Sequence, residues 1–130
     1  MTVCRNRSRS ANSAQNSRAD VVLFCTPEYA GTLPGSLKNL LDWTVGSADL
    51  YGKPAAWITV APPGRGDGAT ATLASVLAYV GADVDTAICP RLPVRSDDIG
   101  ADGLVMAEAF RAVARAVLTG LHARSSRTPR

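Results

Sequence analysis

Residues 21–26 (Val-Val-Leu-Phe-Cys-Thr) form a nearly unbroken apolar run that leads, through a turn containing Pro27, Gly31 and Pro34, straight into a helical stripe. A strand apolar on both sides has to be covered on both faces, which is the condition of a strand inside a parallel sheet. The unit recurs. Residues 55–61 repeat the apolar run, and Leu73, Val76, Leu77 and Val80 repeat the stripe, with Gly81 as its stop. Residues 84–89 supply a third run, closed by Pro90, and a last amphipathic stretch follows. The pattern predicts strands over 21–26, 55–61 and 84–89, and helices over 34–46, 69–80 and 104–121. Three consecutive βα units imply a parallel α/β sheet. With the strands in sequence order, right-handed crossovers place the first two helices on one face and leave the last to cover the other.

Local signals agree with these boundaries. Thr32 and Pro34 mark a helix start, Leu33, Leu37, Leu40, Leu41 and Thr44 fall on one face, and Gly46 can end that helix. In the last helix Met106, Phe110, Val113 and Val117 are expected to face inward, with Glu108, Arg111 and Arg115 outward. Residues 62–68, rich in Pro and Gly, read as a loop.

The net charge of +3 misleads. Seven of the 14 basic residues (Arg5, Arg7, Arg9, Arg18, Arg124, Arg127 and Arg130) lie near the two ends, so the body holds seven bases against 11 acids. Residues 1–18 and 122–130 are expected to be disordered basic tails flanking one domain over 19–121. Neither tail carries an aromatic for base stacking, so solvated ends are preferred over nucleic-acid binding. No apolar run approaches a membrane span, and no amphipathic face accompanies the N-terminal arginines as a transit peptide would require. Cys4, Cys25 and Cys89 lack metal-ligand spacing, and three scattered thiols fit a reducing cytoplasm.

The segment from Thr26 through Trp43 (TPEYAGTLPGSLKNLLDW) resembles the TPEY-x-G-x-x-PG-x-LKN-x-x-DW segment of the NADPH-dependent FMN reductases. That resemblance implies a flavodoxin-like parallel sheet with flanking helices, FMN and NADPH as cofactors, and hydride transfer to an acceptor such as a quinone, free flavin or azo compound. Against the flavodoxin-like strand order 2-1-3-4-5, the chain is expected to supply strands three to five. Its first strand then has an open edge, and a groove lined by Val, Leu and Phe remains on one face. In the family a Gly-Ser-x-Arg-x-x-Ser-x-Asn loop grips the phosphate. Residues 8–14 echo only its end, with no strand before them.

By the same resemblance, Pro27, Glu28, Tyr29 and Ala30 take the role of the loop beside the flavin ring, and Ala61, Pro62 and Gly64 that of the loop at its pyrimidine end. Both loops leave carboxyl ends of strands, where open α/β sheets bind ligands. Family members usually carry Asn where this chain has Ala30, and Pro62-Pro63 removes two N–H donors. No catalytic acid or nucleophile is expected, because the cofactor accepts the hydride and the protein orients it. Arg65 is read either as a phosphate contact for NADPH or as an ordinary surface arginine. Lys38 and Asp42 are four apart and can pair. Trp43 falls next to Asn39 and Ser36, away from the leucine stripe, which suggests burial against a second copy. The family places this helix at a dimer interface, so a homodimer through the helix carrying Lys38, Asn39 and Trp43 is implied, with no membrane partner. A second reading stays open: a non-catalytic remnant or interaction module that binds FMN weakly or not at all.

Overall fold

The computed structural model describes residues 19–127. Three strands, β1 (Val22–Thr26), β2 (Pro54–Thr59) and β3 (Asp83–Val84), lie side by side in sequence order, and both pairings are parallel. Val22 stands opposite Ala55 and Thr26 opposite Thr59. Helices α1 (Gly35–Val45) and α2 (Asp67–Tyr79) make the two crossovers, and α3 (Glu108–Ser125) follows a long connection. Among the described residues β1 is an edge strand, and no helix is long and apolar enough to cross a membrane.

Two layers of core flank the sheet, as the handedness of the crossovers dictates. Val22 and Phe24 pack with Leu37, Leu40 and Leu41 of α1 and Leu73 and Leu77 of α2. On the opposite face Ala56 and Ile58 meet Val117 and Leu121 of α3. Fully burying one such leucine contributes about 1.5–3 kcal/mol. All six residues of β2 are buried, whereas β1 alternates between buried and half-buried. The half-buried positions, Leu23 and Cys25, are on the α3 side, so α3 covers β2 more completely than β1.

The third strand is shorter than the sequence predicts. Asp85 accepts a hydrogen bond from the Ala87 N–H (3.0 Å) and so caps a 3-10 turn, Thr86–Ile88, in the middle of the expected run. An Asp that bonds to nearby backbone competes with the ladder. Cys89 partly repairs the gap. Its thiol accepts the Trp57 N–H of β2 at 3.4 Å and donates to the Asp85 carbonyl at 3.2 Å. Pairing resumes where Arg91 bridges Thr59.

The last helix is displaced toward the C-terminus. Residues 99–105 turn back on themselves, with Ile99 bridged to Val105 and the Gly100 N–H bonded to the Leu104 carbonyl (2.8 Å). Helix α3 therefore starts at Glu108, and Met106 is exposed outside it instead of lining its inner face. The buried line is Phe110, Ala114, Val117 and Leu121, with the first two only partly covered. At the other end His122 and Arg124, expected in a tail, are helical, and Arg124 pairs with Asp83 and Asp85 across the sheet. The rest of the expected tails, residues 1–18 and 128–130, lies outside the described residues. A groove of about 400 Å³ runs along α3, lined by Leu104, Val105, Phe110, Ala114 and Leu118 together with Arg111 and Arg115, and no residue of β1 takes part in it.

Candidate functional site

Strands β1 and β2 end level with one another, because the Val60 N–H donates to the Thr26 carbonyl at 2.8 Å. The two loops singled out in the sequence therefore start side by side at the carboxyl edge of the sheet. The first closes immediately into a two-residue hairpin. The N–H groups of Tyr29 and Thr32 donate to each other's carbonyls at 2.9 and 3.1 Å. Ala30 (φ 49°) and Gly31 (φ 78°) occupy its centre in left-handed conformation, as a type I′ turn requires. The turn leaves Tyr29 62% exposed. Its own N–H is held by the Thr32 carbonyl, so Tyr29 offers a ligand its side chain and no backbone donor.

The second loop makes a turn in which the Arg65 N–H donates to the Pro62 carbonyl (3.1 Å). Pro63 sets the first corner and Gly64 (φ 78°) the second, the residue pair that a type II turn favours. Pro62 and Gly64 are exposed, whereas Ala61 is buried with its methyl turned toward Gly66. At Gly66 (φ 104°) an added β-carbon would lie 2.9 Å from the Arg91 guanidinium. Arg91 in turn pairs with Asp67 at the start of α2.

The two loops are joined through the first turns of α2. Glu28 Oε2 accepts the Ala69 N–H at 3.1 Å. The Thr32 and Thr72 hydroxyls are 2.8 Å apart. The Gly31 carbonyl lies so near Gly68 that a β-carbon there would be 1.7 Å from its oxygen. Thr59 at the end of β2 meets Thr70 at 3.1 Å. The Glu28 carboxyl is held below its ordinary range, first by the Ala69 N–H, against the opposing effect of partial desolvation, and further by the Gly66 and Gly68 N–H groups and the Arg65 charge.

Of the residues expected to bind, Tyr29, Ala30, Pro62 and Gly64 are thus exposed, Pro27 and Glu28 are half-buried, and Ala61 is buried. Sequence reasoning missed the contribution of Thr32, Gly68, Ala69 and Thr72. One signal was available. A glycine in the first turn of a helix costs about 1 kcal/mol relative to alanine, so Gly68 advertises a close backbone approach. Among the described residues no three His, Cys, Asp or Glu side chains gather as a metal group. The single His, His122, is exposed on α3. Burial pushes the Cys25 and Cys89 thiols up, so neither is an activated nucleophile. At this edge the carboxylate of Glu28 is committed to a backbone N–H, while Tyr29 and the turn at Gly64 are exposed.

The chain matches the family model of the NADPH-dependent FMN reductases over residues 9–87, and it belongs to that family. It is 36% identical over 89 residues to an NADPH azoreductase of Bacillus sp. (strain OY1-2), a match covering 65% of this chain and 48% of the relative. It is 35% identical over 103 residues to a 2-hydroxy-1,4-benzoquinone reductase of Burkholderia sp, covering 75% of this chain and 55% of the relative. The chain thus spans about half the length of these curated relatives. Its fold is similar to that of FerB, a flavoenzyme NAD(P)H:(acceptor) oxidoreductase from Paracoccus denitrificans, with a TM-score of 0.66 and 28% identity over 95% of this chain and 68% of that one. This likeness agrees with the flavodoxin-like reading of the parallel sheet and its helices.

Proposed function

We propose that the chain serves an NAD(P)H-dependent oxidoreductase that uses FMN and reduces a small-molecule acceptor such as a quinone or azo compound. The observation that carries this reading is the joined pair of loops at the carboxyl edge of the sheet, with Tyr29 exposed on one and Gly64 on the other. A Cβ added at Gly31 or Gly64 would meet nothing within 4 Å, so backbone is open to a flat ligand at both turns. These features fit the flavin ring: Tyr29 would lie beside it, and the backbone around Glu28, Ala30 and Gly64 would meet its polar edge. When bound, the flavin supplies the redox chemistry, accepting and passing on a hydride. The residues of this chain hold and orient the ring and keep the two loops in register.

The named functions of the relatives support the acceptor class. A homodimer is the assembly we favour, formed through the α1 surface that exposes Asn39 and Trp43 beside Lys38. The cytoplasm, where thiols stay reduced, is the compartment we assign. Titration of FMN with the protein, read by quenching of flavin fluorescence, tests the proposal together with NADPH oxidation in the presence of a quinone. Saturable quenching and FMN-dependent oxidation are expected. The two prolines that withhold N–H groups in the second loop favour the second reading, an interaction module without flavin. Absence of quenching at millimolar FMN would overturn the flavin reading and leave the second.

A further inference from the structure

Glu28 stands in the middle of the loop assigned to the flavin ring, yet its carboxylate is turned onto α2. The Ala69 N–H that it accepts belongs to the first turn of that helix, where N–H groups lack intrahelical partners and the positive end of the helix favours an anion. The Thr32–Thr72 contact and the approach of the Gly31 carbonyl to Gly68 join the same two segments. The second loop runs directly into α2, so whatever is fixed to the start of α2 is fixed to that loop.

We infer that Glu28 is a positioning residue: its carboxylate pins the 27–32 loop to the start of α2 and sets the spacing of the two loops without touching the ligand. The inference rests on the flavin reading above. Three other charged groups surround this junction: Arg65 on the second loop, Asp67 in the first turn of α2, and Arg91 from the connection that follows β3, the last two paired with each other. The lowered pKa keeps Glu28 ionised further into the acid range than an ordinary carboxyl. The sign follows: pinning is complete above the ordinary carboxylate range and is lost as the pH falls through the depressed value.

The test compares wild type with Glu28→Gln and Glu28→Ala as the pH is lowered from neutral to well below the ordinary carboxylate range. Two quantities are read: exchange of the Ala69 amide without ligand, corrected for intrinsic rate, and FMN affinity. In wild type, Ala69 exchange should accelerate and FMN affinity should fall together, each roughly tenfold, as Glu28 is protonated. Glu28→Gln should bind FMN more weakly at neutral pH and with a flat profile over that interval. Glu28→Ala should be weaker still, and if it does not fold, Glu28→Gln decides. Identical FMN affinities and pH profiles in all three proteins, or unchanged Ala69 exchange in the variants, would overturn the inference. A wild type that takes up no FMN at any pH overturns the flavin reading, and the positioning role with it. Faster Ala69 exchange in Glu28→Ala would then show the pinning contact alone.

Discussion

The Gly31 carbonyl oxygen faces Gly68 so closely that a β-carbon at position 68 would be 1.7 Å away. The listener on the other side of that contact is backbone, which cannot swing aside as a side chain would. Gly68→Ala should therefore force the 27–32 loop away from α2, at a cost of about 1–3 kcal/mol in stability, typical of overpacking. Urea unfolding measures the loss. The same substitution in an exposed part of a helix would be stabilising, so a gain in stability would show that the two segments separate easily.

Ala30 bears the strain of the adjoining turn. Its φ of 49° puts an L-residue with a β-carbon in left-handed conformation, which costs about 1–2 kcal/mol relative to the right-handed one. Asn tolerates this conformation better and Gly adopts it freely. Ala30→Asn should stabilise the protein by about 0.5–1 kcal/mol, and Ala30→Gly by somewhat less, because Gly loses more freedom on folding. Thermal unfolding of the two variants beside wild type checks both the sign and the order.

Cys89 stands in for a backbone group, taking the Trp57 N–H where the third strand has left the ladder. Cys89→Ala should cost about 1–3 kcal/mol by leaving that buried donor without its acceptor. Cys89→Ser should cost less, since a hydroxyl can accept the same bond. The pH dependence has a definite sign. Burial raises the thiol pKa, so the unfolded chain ionises first. Stability is then full at neutral pH and declines as the pH rises past the ordinary thiol value. Equilibrium unfolding of the wild type and Cys89→Ser across that alkaline range should show the decline weakened in the variant.

These cases show what the sequence could and could not disclose. The run at 21–26 and the stripe of Leu37, Leu40, Leu41 and Thr44 were legible because strand and helix periods are local properties. The placement of the two loops on one edge followed from parallel topology. The break in the third strand was only half legible: Asp85 is a poor strand residue, but nothing local showed that the Cys89 thiol would take the place of a ladder carbonyl. The role of Glu28 was not legible. Its partner is 41 residues away, and only the crossover through β2 brings the start of α2 beneath it. Motif resemblance placed Glu28 in the loop beside the ligand and was silent on its carboxylate, which bonds to the backbone of α2.

Substitution of Trp43 tests folding and the proposed self-association separately. It is 64% exposed on α1, four residues from exposed Asn39 and so on the same face. Beside it Lys38 and Asp42 form an ion pair at 2.6 Å, with both side chains substantially exposed. An exposed pair of this kind contributes little to folding and is screened by salt. Trp43→Ala should leave folding stability within about 0.5 kcal/mol of wild type, because the ring makes little use of the core. If α1 forms the interface between two copies, the same change removes a large aromatic from its centre and should weaken self-association by about 2 kcal/mol, roughly thirtyfold. Sedimentation equilibrium of both proteins reads this directly. A wild type that stays monomeric at high concentration would overturn the homodimer, and a dimer unchanged by the substitution would move its interface away from α1. Loss of folding stability with no change in association would mean instead that Trp43 packs against its own chain.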